Sequence, residues 1–492
     1  MLTQYLKYSC YVLLLGCLAI SGCQKLEDIN HDPTKPTVTQ PQYLLTGAEK
    51  SAMDILYAGP QNGRIGMPYA QYWTGNDKAN DSRYLLDELI NTNLWNTLYT
   101  VSLHNLDEII KMNRAKPITE STNQIAIAQI FKAWIMQILA DAYGNVPYQD
   151  AYKLDQGIFR PKYDGAKAIY AALLDTLKTQ VAALDPAAGS FSNGDVIYNG
   201  NVDSWKKLGH SLMLRLAIRM VDADGEAANA RAIIEQNYQA AMTSQADDAV
   251  FQYIAVAPNK YPYNDSEREL SEFFVSATMV DYLKSLNDPR LGVYVRPSKI
   301  DTVYRGLPYG TSETEPSRLP PGNYSYPGTR IYAADARGFV MTYSEVEFIL
   351  AEASARGFAT GDAATHYTNG IKASMATWGI TAADTINAYL ARVPYDQADW
   401  RNVIGSQKWL ALYPQGFQGW FERVRLNFKK PGGEPLFIAP ASGTLDSKVP
   451  FVPYRLTYPV SEQQQNTQNY TQAANDIGGD TKGTKLWWNK NN

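Results

Sequence analysis

The feature that most constrains the fold of this chain is a succession of amphipathic helical stripes separated by short polar breaks. Apolar residues recur at helical spacing in five segments: 94–110, 127–138, 169–184, 208–220 and 346–353. Consecutive helices with short connections pack as antiparallel neighbours, and the alanine-rich stretch 129–152 is similar to a tetratricopeptide unit. The sequence therefore predicts a mostly α fold of stacked, tetratricopeptide-like helix pairs, with long loops and a few short strands. The alternating strands and helices of a periplasmic-type binding protein are not part of this pattern.

Several helix ends are marked by residues that stop or cap helices. Gly144 follows the last periodic residue of the second stripe, and Pro147 lies just beyond it. Pro186 ends the third stripe, and either Asn201 or Asp203 is expected to cap the fourth. These signals predict where the helices of each pair turn.

The N-terminus carries the pattern of a lipoprotein export signal. Lys7 precedes a short apolar run, and the small residues before Cys23 are typical of a cleavage site. The run is shorter than the roughly 20 residues that a membrane-spanning helix needs. We therefore expect cleavage to leave an acylated Cys23 that anchors the mature chain in a membrane. The alternative is an ordinary signal peptide followed by a chance cysteine.

The composition excludes several classes of site. The other two cysteines, Cys10 and Cys17, lie in the segment to be removed, so the folded body has no thiol for a disulfide, a nucleophile or a metal. The four histidines are far apart, so no metal site or other cofactor is expected. A net charge of −4 argues against nucleic acid as a partner.

We expect one folded body behind a short leader. Residues 1–22 are the predicted signal peptide, and 23–41 are a polar, proline-broken tether. The body, 42–492, is predicted to be a single helical scaffold with a loop-rich insert at about 253–340 and a loop-rich tail at 429–492. Within the insert, 291–295 is predicted to be a short strand, and the apolar end of the tail is expected to dock on the body.

Motifs along the whole body carry a resemblance to a known family. In the N-terminal half there is a tyrosine-glycine-x-valine-proline turn at 143–147. In the C-terminal half, a helix at 341–353 contains a tyrosine, a glutamate and the run leucine-alanine-glutamate-alanine, and a second helix follows at 367–378. The Gln-Lys-Trp and Trp-Phe-Glu elements lie within 407–425, and the Pro-x-Arg-x-x-Tyr-Pro signature lies at 453–459. Together they resemble the SusD/RagB family of outer-membrane nutrient-binding lipoproteins. The resemblance implies a cell-surface protein that lies over a SusC-like TonB-dependent transporter, binds an oligosaccharide or a peptide, and catalyses no reaction.

The motif residues themselves are expected to be scaffold. Tyr343, Glu345, Trp134, Trp409 and Trp420 have spacings consistent with packing between helices. A second group is expected to form buried or half-buried ion pairs: Glu352, Arg423, Arg425 and Arg455. Ligand contacts are therefore sought elsewhere.

Binding-site candidates come from loops rich in tyrosine and tryptophan. The chain has 34 Tyr and 10 Trp against 14 Phe, and sugar rings stack on such side chains while their hydroxyls bind amides and carboxylates. The first set of candidates is Tyr69, Tyr72, Trp73, Asn76 and Asp77. The second set, in the 305–330 loop, is Tyr309, Tyr324 and Tyr326. The alternative for each ring is packing beneath its own loop.

Two other function classes remain open at the level of sequence. A surface glycoside hydrolase needs two carboxylates about 5–10 Å apart, and Asp77 with Asp81 or Glu313 with Glu315 are the pairs available. Neither pair lies in a recognisable catalytic context. A purely structural surface protein would have no soluble ligand, and the long tyrosine- and proline-rich loops argue against it.

Overall fold

The computed structural model describes residues 39–264 and 272–491. The predicted signal peptide 1–22, the acylation site Cys23 and nearly all of the predicted tether lie outside the described residues. The described residues from Pro41 onward form one compact unit.

Helices dominate the larger unit. In its first half they are α1 Pro41–Tyr57, α2 Met67–Tyr69, α3 Glu88–Asn96, α4 His104–Ala115, α5 Ser121–Tyr143, α6 Ala166–Ala183, α7 Val202–Met220 and α8 Ala227–Asn237. In its second half they are α9 Ala277–Ser285, α10 Leu291–Tyr294, α11 Thr329–Tyr332, α12 Tyr343–Ala355, α13 Ala363–Thr377, α14 Ala383–Leu390, α15 Trp400–Ala411, α16 Gly416–Leu426, α17 Val460–Gln465 and α18 Thr467–Asp476. Two π-helical segments, Gly59–Gly66 and Thr97–Leu103, join neighbouring helices.

The helices pack largely in the order in which they occur. In the first half, α4 packs on α5, α5 on α6, α6 on α7 and α7 on α8. In the second half, α12 packs on α13 and on α15, and α15 packs on α16. Helix α12 also contacts α7, which joins the two halves through one hydrophobic core. The predicted mostly α fold of stacked helix pairs is confirmed.

The strands of the described residues are short and pair only in twos. They are β1 Trp73–Gly75, β2 Val146–Pro147, β3 Tyr163–Asp164, β4 Ala249–Gln252, β5 Phe273–Val275, β6 Val295–Arg296, β7 Tyr326–Pro327 and β8 Arg337–Met341. The antiparallel pairs are β1 with β5, β2 with β3, β4 with β8 and β6 with β7. The predicted strand at 291–295 is wrong, because that segment is the helical turn α10 and only its last residue enters β6.

Helix α5 shows how the sequence sets the fold locally. It ends at Tyr143, as its stop signal predicts, and Gly144 adopts a φ of +87°, a conformation that suits glycine. The close approach of Leu486, whose Cδ2 lies 3.0 Å from where a Cβ on Gly144 would stand, is a second reason for glycine there. The helix is long and apolar enough to cross a membrane, but its apolar side chains are buried in the protein core.

The start of α7 and the run from α3 to α4 follow the predicted stripes. The side chain of Asn201 caps α7 by accepting a hydrogen bond from the Ser204 amide at 2.9 Å. The stripe at 94–110 continues from α3 through the π-helical segment into α4. Here a π turn shifts the helical phase within one continuous helical run.

The family-motif residues meet in a buried charge cluster formed by Arg219, Glu352, Lys408, Glu422 and Arg425. Arg425 Nη2 lies 2.6 Å from Glu352 Oε2 and 2.7 Å from Glu422 Oε2. Glu422 also lies 3.0 Å from both Lys408 Nζ and Arg219 Nη1. Burial alone would raise the pKa of Glu422, but Arg425, Lys408 and Arg219 together hold this pKa well below its usual range. The cluster joins α7, α12, α15 and α16, so these motif residues serve the scaffold, as the sequence predicts.

Candidate functional site

The structure brings the two predicted binding-site segments to one place. Strand β1, which begins at Trp73, pairs with β5, and the amide of Val275 in β5 donates to the Ser325 carbonyl at 3.1 Å. The Gly310 amide donates to Thr74 Oγ1 at 3.2 Å. The first candidate segment and the 305–330 loop therefore form one surface, although more than 200 residues separate them in the sequence.

The aromatic candidates do not form an open stacking surface. Tyr69, Tyr72 and Tyr309 have no exposed surface, and Trp73 and Tyr324 are each 3% exposed. Tyr326 is only 6% exposed. The expectation that these rings lie open on loops is wrong, and whether the surrounding segments bind a ligand stays a prediction.

Each of these rings is held by long-range partners. Trp73 Nε1 donates to the Tyr413 hydroxyl at 2.9 Å, and its ring stacks on Phe273 with centroids 5.7 Å apart. The Tyr72 hydroxyl donates to the Trp409 carbonyl, and the two rings stack at 4.9 Å. An apolar ring with a satisfied polar atom is a stable core element. These rings therefore form a floor beneath the surface rather than the surface itself.

The remaining rings are buried in two separate hydrophobic clusters, Tyr69 and Tyr309 in the main core and Tyr324 and Tyr326 in a smaller one. Tyr84 lies edge-on to Tyr69 at 5.7 Å and contacts Tyr309 at 6.5 Å. The Tyr326 ring lies 4.7 Å from Phe274, in the small cluster that also contains Tyr324. The hydroxyl of Tyr324 accepts a hydrogen bond from the Leu319 amide at 2.9 Å, which fixes the course of the loop above it.

Above the floor lies a set of polar side chains that we call the polar rim: Asn76, Asp77, Glu313 and Arg318. Asp77 is exposed, and its Oδ1 accepts a hydrogen bond from the Asn76 amide group at 3.0 Å. Arg318 donates to Asn76 Oδ1, and its own Nη1 is buried without a hydrogen-bond partner within the described residues. Glu313 accepts from the Ala79 amide at 3.4 Å and is otherwise exposed. The rim thus presents carboxylate, amide and guanidinium groups together.

A third segment, which the sequence did not assign to the site, borders the rim. The Ala441 amide donates to the Tyr309 carbonyl at 2.8 Å, and the Leu445 amide donates to the Arg83 carbonyl at 2.8 Å. This part of the tail adds three apolar side chains that are about two-fifths exposed: Ile438, Leu445 and Phe451. The one available signal was the loss of helical period in the tail, and it does not reveal which surface the tail covers.

The acidic pairs considered for hydrolysis are not equivalent in the structure. Asp81 is 2% exposed, and its carboxylate binds Arg64, with Nη2 at 3.1 Å from Oδ1. Burial raises the pKa of Asp81 to about 6, even though Arg64 acts in the opposite direction. Glu315 accepts from the Ser317 hydroxyl at 3.2 Å on an exposed turn. Asp81 is therefore engaged in a structural ion pair.

The described residues contain no group of three or more His, Cys, Asp or Glu side chains placed to hold a metal ion. Three of the four histidines lie in the described part of the chain. His366 Nδ1 pairs with Glu347 at 2.8 Å, and His210 Nδ1 lies 2.8 Å from Asn237 Oδ1. The other ring nitrogen of His366, Nε2, lies 2.9 Å from the Thr360 carbonyl oxygen, so both histidines are engaged within the protein.

A family comparison places the chain. The SusD-like_2 family, described as starch-binding and associating with the outer membrane, matches residues 33–459. The match spans most of the chain, including the helix pairs, the charge cluster and all three segments around the rim. The chain belongs to the SusD-like family. No curated protein sequence matches it.

Solved structures share the fold of this SusD-like chain. A chitin-binding protein superposes with a TM-score of 0.80 at 24% identity, covering 92% of this chain and 100% of its own. A SusD homolog from Bacteroides uniformis gives 0.79 at 24% identity, covering 91% and 99%. A chitin-binding SusD homolog from Flavobacterium johnsoniae gives 0.78 at 22% identity, covering 91% and 99%. At these identities the likeness shows a common fold.

The SusD-like body also has clefts away from the rim. One, of about 470 Å³, lies between α4 and the 150–161 loop and includes His104, Lys111 and Tyr152. Lys111 is neutralised there, with Asp107 at 3.0 Å and Glu108 at 3.4 Å. A second cleft, of about 290 Å³, is lined by Arg330, Arg337 and Trp378, among others. Sequence reasoning missed this second cleft, because its residues come from separate parts of the chain.

Proposed function

We propose that this protein is a lipid-anchored cell-surface protein that binds an oligosaccharide and delivers it to a SusC-like TonB-dependent outer-membrane transporter. Support comes from the family, which is described as starch-binding and associating with the outer membrane. Two similar solved structures are named as chitin-binding. The export signal ending at Cys23 supports the lipid anchor.

The observation that carries the binding proposal is the convergence of three loop segments on the polar rim. A sugar offers hydroxyl groups that both donate and accept hydrogen bonds. In the rim, Asp77 and Glu313 accept, the guanidinium of Arg318 donates, and Asn76 can do both. Arg318 is half-buried and already donates to Asn76 Oδ1, so its guanidinium is held in place at this edge of the rim. This combination matches an uncharged, hydroxyl-rich ligand.

The aromatic candidates have an indirect role in this proposal. Trp73 and Tyr324 are buried and contact other core side chains. They therefore fix the two loops that carry Asn76 and Arg318. The exposed apolar side chains beside the rim, such as Leu319 at 44% and Phe451 at 38% exposure, supply the apolar contact that a sugar ring needs. A well-ordered floor reduces the conformational entropy lost on binding.

The binding test uses the mature protein with chito-oligosaccharides and malto-oligosaccharides, measured by titration calorimetry. We expect binding of at least one series, and we expect Asp77→Ala and Arg318→Gln each to weaken it about tenfold or more, since each removes a charged hydrogen-bonding group. Asp175→Ala, on the exposed face of α6, is the matched control and should leave the affinity unchanged. Equal effects of Asp77→Ala and Asp175→Ala would remove the rim from the site.

Two further experiments test whether the ligand is a glycan and whether the protein cleaves it. A peptide array run beside the glycan series tests the peptide-binding alternative, and peptide binding without glycan binding would replace the oligosaccharide in the proposal. Incubation with the same glycans tests for catalysis. Release of smaller sugars by the purified protein would overturn the assignment as a binding protein.

The anchor and the transporter are tested in cells. Cys23→Ser should abolish incorporation of labelled fatty acid and release the protein from the outer membrane. Purification of the native lipoprotein from mild detergent should recover a TonB-dependent transporter as a stoichiometric partner. An unlabelled native protein would contradict the anchor, and recovery without a transporter would contradict the delivery step.

A further inference from the structure

A second polar cleft, about 290 Å³ in volume, lies where the strand pair β4–β8 meets α11 and the end of α13. We call it the arginine cleft and define it by Gln252, Arg330, Asp335, Arg337 and Trp378. Gln252 and Arg337 are directly opposite each other in the antiparallel pair. Residues opposite each other in such a pair point to the same side, so the strand register itself places an amide beside a guanidinium. The arginine cleft shares no residue with the polar rim.

Both arginines of the cleft are held in place by the end of helix α13. Arg330 Nη1 donates to the Trp378 carbonyl at 2.6 Å, and Arg337 Nη2 donates to the Thr377 carbonyl. The Arg337 guanidinium also lies over the rings of Phe339 and Trp378, at 5.4 and 6.0 Å from their centroids. A guanidinium carries five N–H groups. After these contacts, each arginine retains further N–H donors on a side chain that is already positioned.

The two arginines of the cleft form no direct ion pair with a described acidic side chain, although Asp335 also lines the cleft. Within the described residues, neither guanidinium has a carboxylate oxygen within 4.0 Å, in contrast to the arginines of the buried charge cluster. Burial lowers the pKa of Arg337, Asp248 opposes this effect, and the charge of Arg330 lowers the pKa further. Two cations that disfavour each other at the wall of a cleft are stabilised when an anion enters it.

We propose that the arginine cleft binds the carboxylate of an acidic sugar, a uronic acid unit at the end or on a branch of a glycan. A carboxylate accepts two parallel N–H donors from a guanidinium, which gives both strength and orientation. Two further groups at the wall fit the rest of the sugar. Asp335 accepts hydrogen bonds from hydroxyls, and the side-chain carbonyl of Gln252 does the same.

The wall and the volume select this ligand over other anions. A free phosphate has no sugar-ring hydroxyls to offer to Asp335 and Gln252, whereas a uronate offers such hydroxyls beside the carboxylate that the arginines bind. Ligand sites for larger molecules generally occupy about 300–1,000 Å³, so a cleft of about 290 Å³ fits one sugar unit rather than a long chain. The cleft is therefore proposed to bind one charged sugar unit of a glycan, whereas the rim is proposed to bind neutral hydroxyl groups.

A structural role for the two arginines makes a different prediction. If they only bind the last carbonyls of α13, the cleft takes no ligand, and their loss lowers only the melting temperature. Arg392 provides a matched control, because it too donates to carbonyls at a chain turn, those of Leu286 at 3.1 Å and Asn287 at 3.0 Å. It lies outside both proposed sites.

The test titrates the mature protein with an oligosaccharide that ends in glucuronate or galacturonate, with its neutral counterpart, and with inorganic phosphate. We expect the acidic oligosaccharide to bind at least about tenfold more tightly than the neutral one, because a charge-assisted pair is lost in the latter. Arg330→Gln and Arg337→Gln should each remove this preference, and Arg392→Gln should keep it. Thermal melts report whether each variant is folded. Because Arg330 is more exposed than Arg337, we expect Arg330→Gln to keep the melting temperature of the wild type.

Three results would overturn the proposal. The first is that the wild type does not bind the acidic oligosaccharide. The second is that folded Arg330→Gln still prefers the acidic to the neutral oligosaccharide. The third is that phosphate binds as tightly as the uronate, which would make the cleft a simple anion site. Asp77→Ala should leave the uronate preference intact. Its loss of neutral-glycan binding therefore reports on the rim alone, so failure of one site is distinguishable from failure of the other.

Discussion

The buried charge cluster and the polar rim contain the same types of residue but use them in opposite ways. In the cluster, Arg425 and Glu422 are almost inaccessible to water, and the carboxylate of Glu422 contacts three different cations. In the rim, Asp77 is exposed, and a buried nitrogen of Arg318 lacks a partner within the described residues. Charges of the first kind hold helices together, while the exposed carboxylate of Asp77 lies at the surface where we propose that a ligand binds.

This difference indicates which parts of such a fold are candidates for ligand binding. The family motifs are the most recognisable residues of the chain, and four of their residues lie in the cluster: Glu352, Lys408, Glu422 and Arg425. The rim lies on loops, where contacts to solvent leave the side chains free to vary. The conspicuous sequence motifs therefore identify the scaffold of this protein.

The largest expected effect is the loss of a charge in the cluster. Arg425→Ala leaves Glu352 and Glu422 buried without their main partner, and we expect it to lower the free energy of unfolding by about 3–5 kcal/mol. Arg231→Ala is the control, because its pair with Glu235 at 2.8 Å is surface-exposed and should contribute less than about 1 kcal/mol. Denaturant unfolding of both variants measures the contrast, and similar small losses would show that the cluster is not what holds the four helices.

The next effect concerns the aromatic floor. Trp73→Ala should lower the free energy of unfolding by about 3 kcal/mol, because the ring is buried and leaves a cavity. Trp73→Phe keeps most of the packing and loses only the hydrogen bond to Tyr413, so about 1 kcal/mol is expected. If thermal melts of Trp73→Ala matched those of the wild type while glycan affinity fell, the ring would belong to the binding surface after all.

A smaller effect depends on pH. Burial raises the pKa of Asp248 from 3.8 to about 7, while its hydrogen bond from the Tyr343 amide and the charge of Arg337 act in the opposite direction. The native state therefore holds this proton more tightly than the unfolded state, and stability falls as the pH rises between these two values. Asp248→Asn removes this pH dependence, so we expect the free energy of unfolding of the variant to rise relative to that of the wild type, by up to about 4 kcal/mol at the upper end of that window. Parallel stability curves for the two proteins would show that Asp248 titrates normally.

The smallest effect on stability is expected in the rim. Asp77→Ala removes an exposed carboxylate and should change the free energy of unfolding by less than about 0.5 kcal/mol, although we expect it to weaken ligand binding. A melting temperature well below that of the wild type would show that Asp77 belongs to the scaffold, and the contrast between rim and cluster would then fail.

The parts of the fold that follow from local sequence were predicted, and the parts that depend on distant contacts were not. The end of α5 at Gly144 and the cap at Asn201 depend on neighbouring residues alone. The burial of Trp73 depends on Tyr413, 340 positions away in the sequence. A loop rich in rings has the same composition whether its rings face the solvent or the core, so the choice between the two was decided by tertiary packing.

The candidate site was predicted in part for the same reason. Residue type led to the segments around Asn76 and Tyr309, which the structure brings together. It did not lead to the bordering tail or to the arginine cleft, whose side chains come from β4, α11, β8 and the end of α13. The short strand expected at 291–295 failed because a few apolar residues suit a helical turn as well as a strand.

The last residues of the chain close the interior of its first half. Trp488 is 1% exposed and lies against Arg219 in α7, and Leu486 lies against Gly144 at the end of α5. Residues 486–488 thus cover the interior between α5 and α7. A protein shortened before this segment is expected to expose apolar surface of both helices to water.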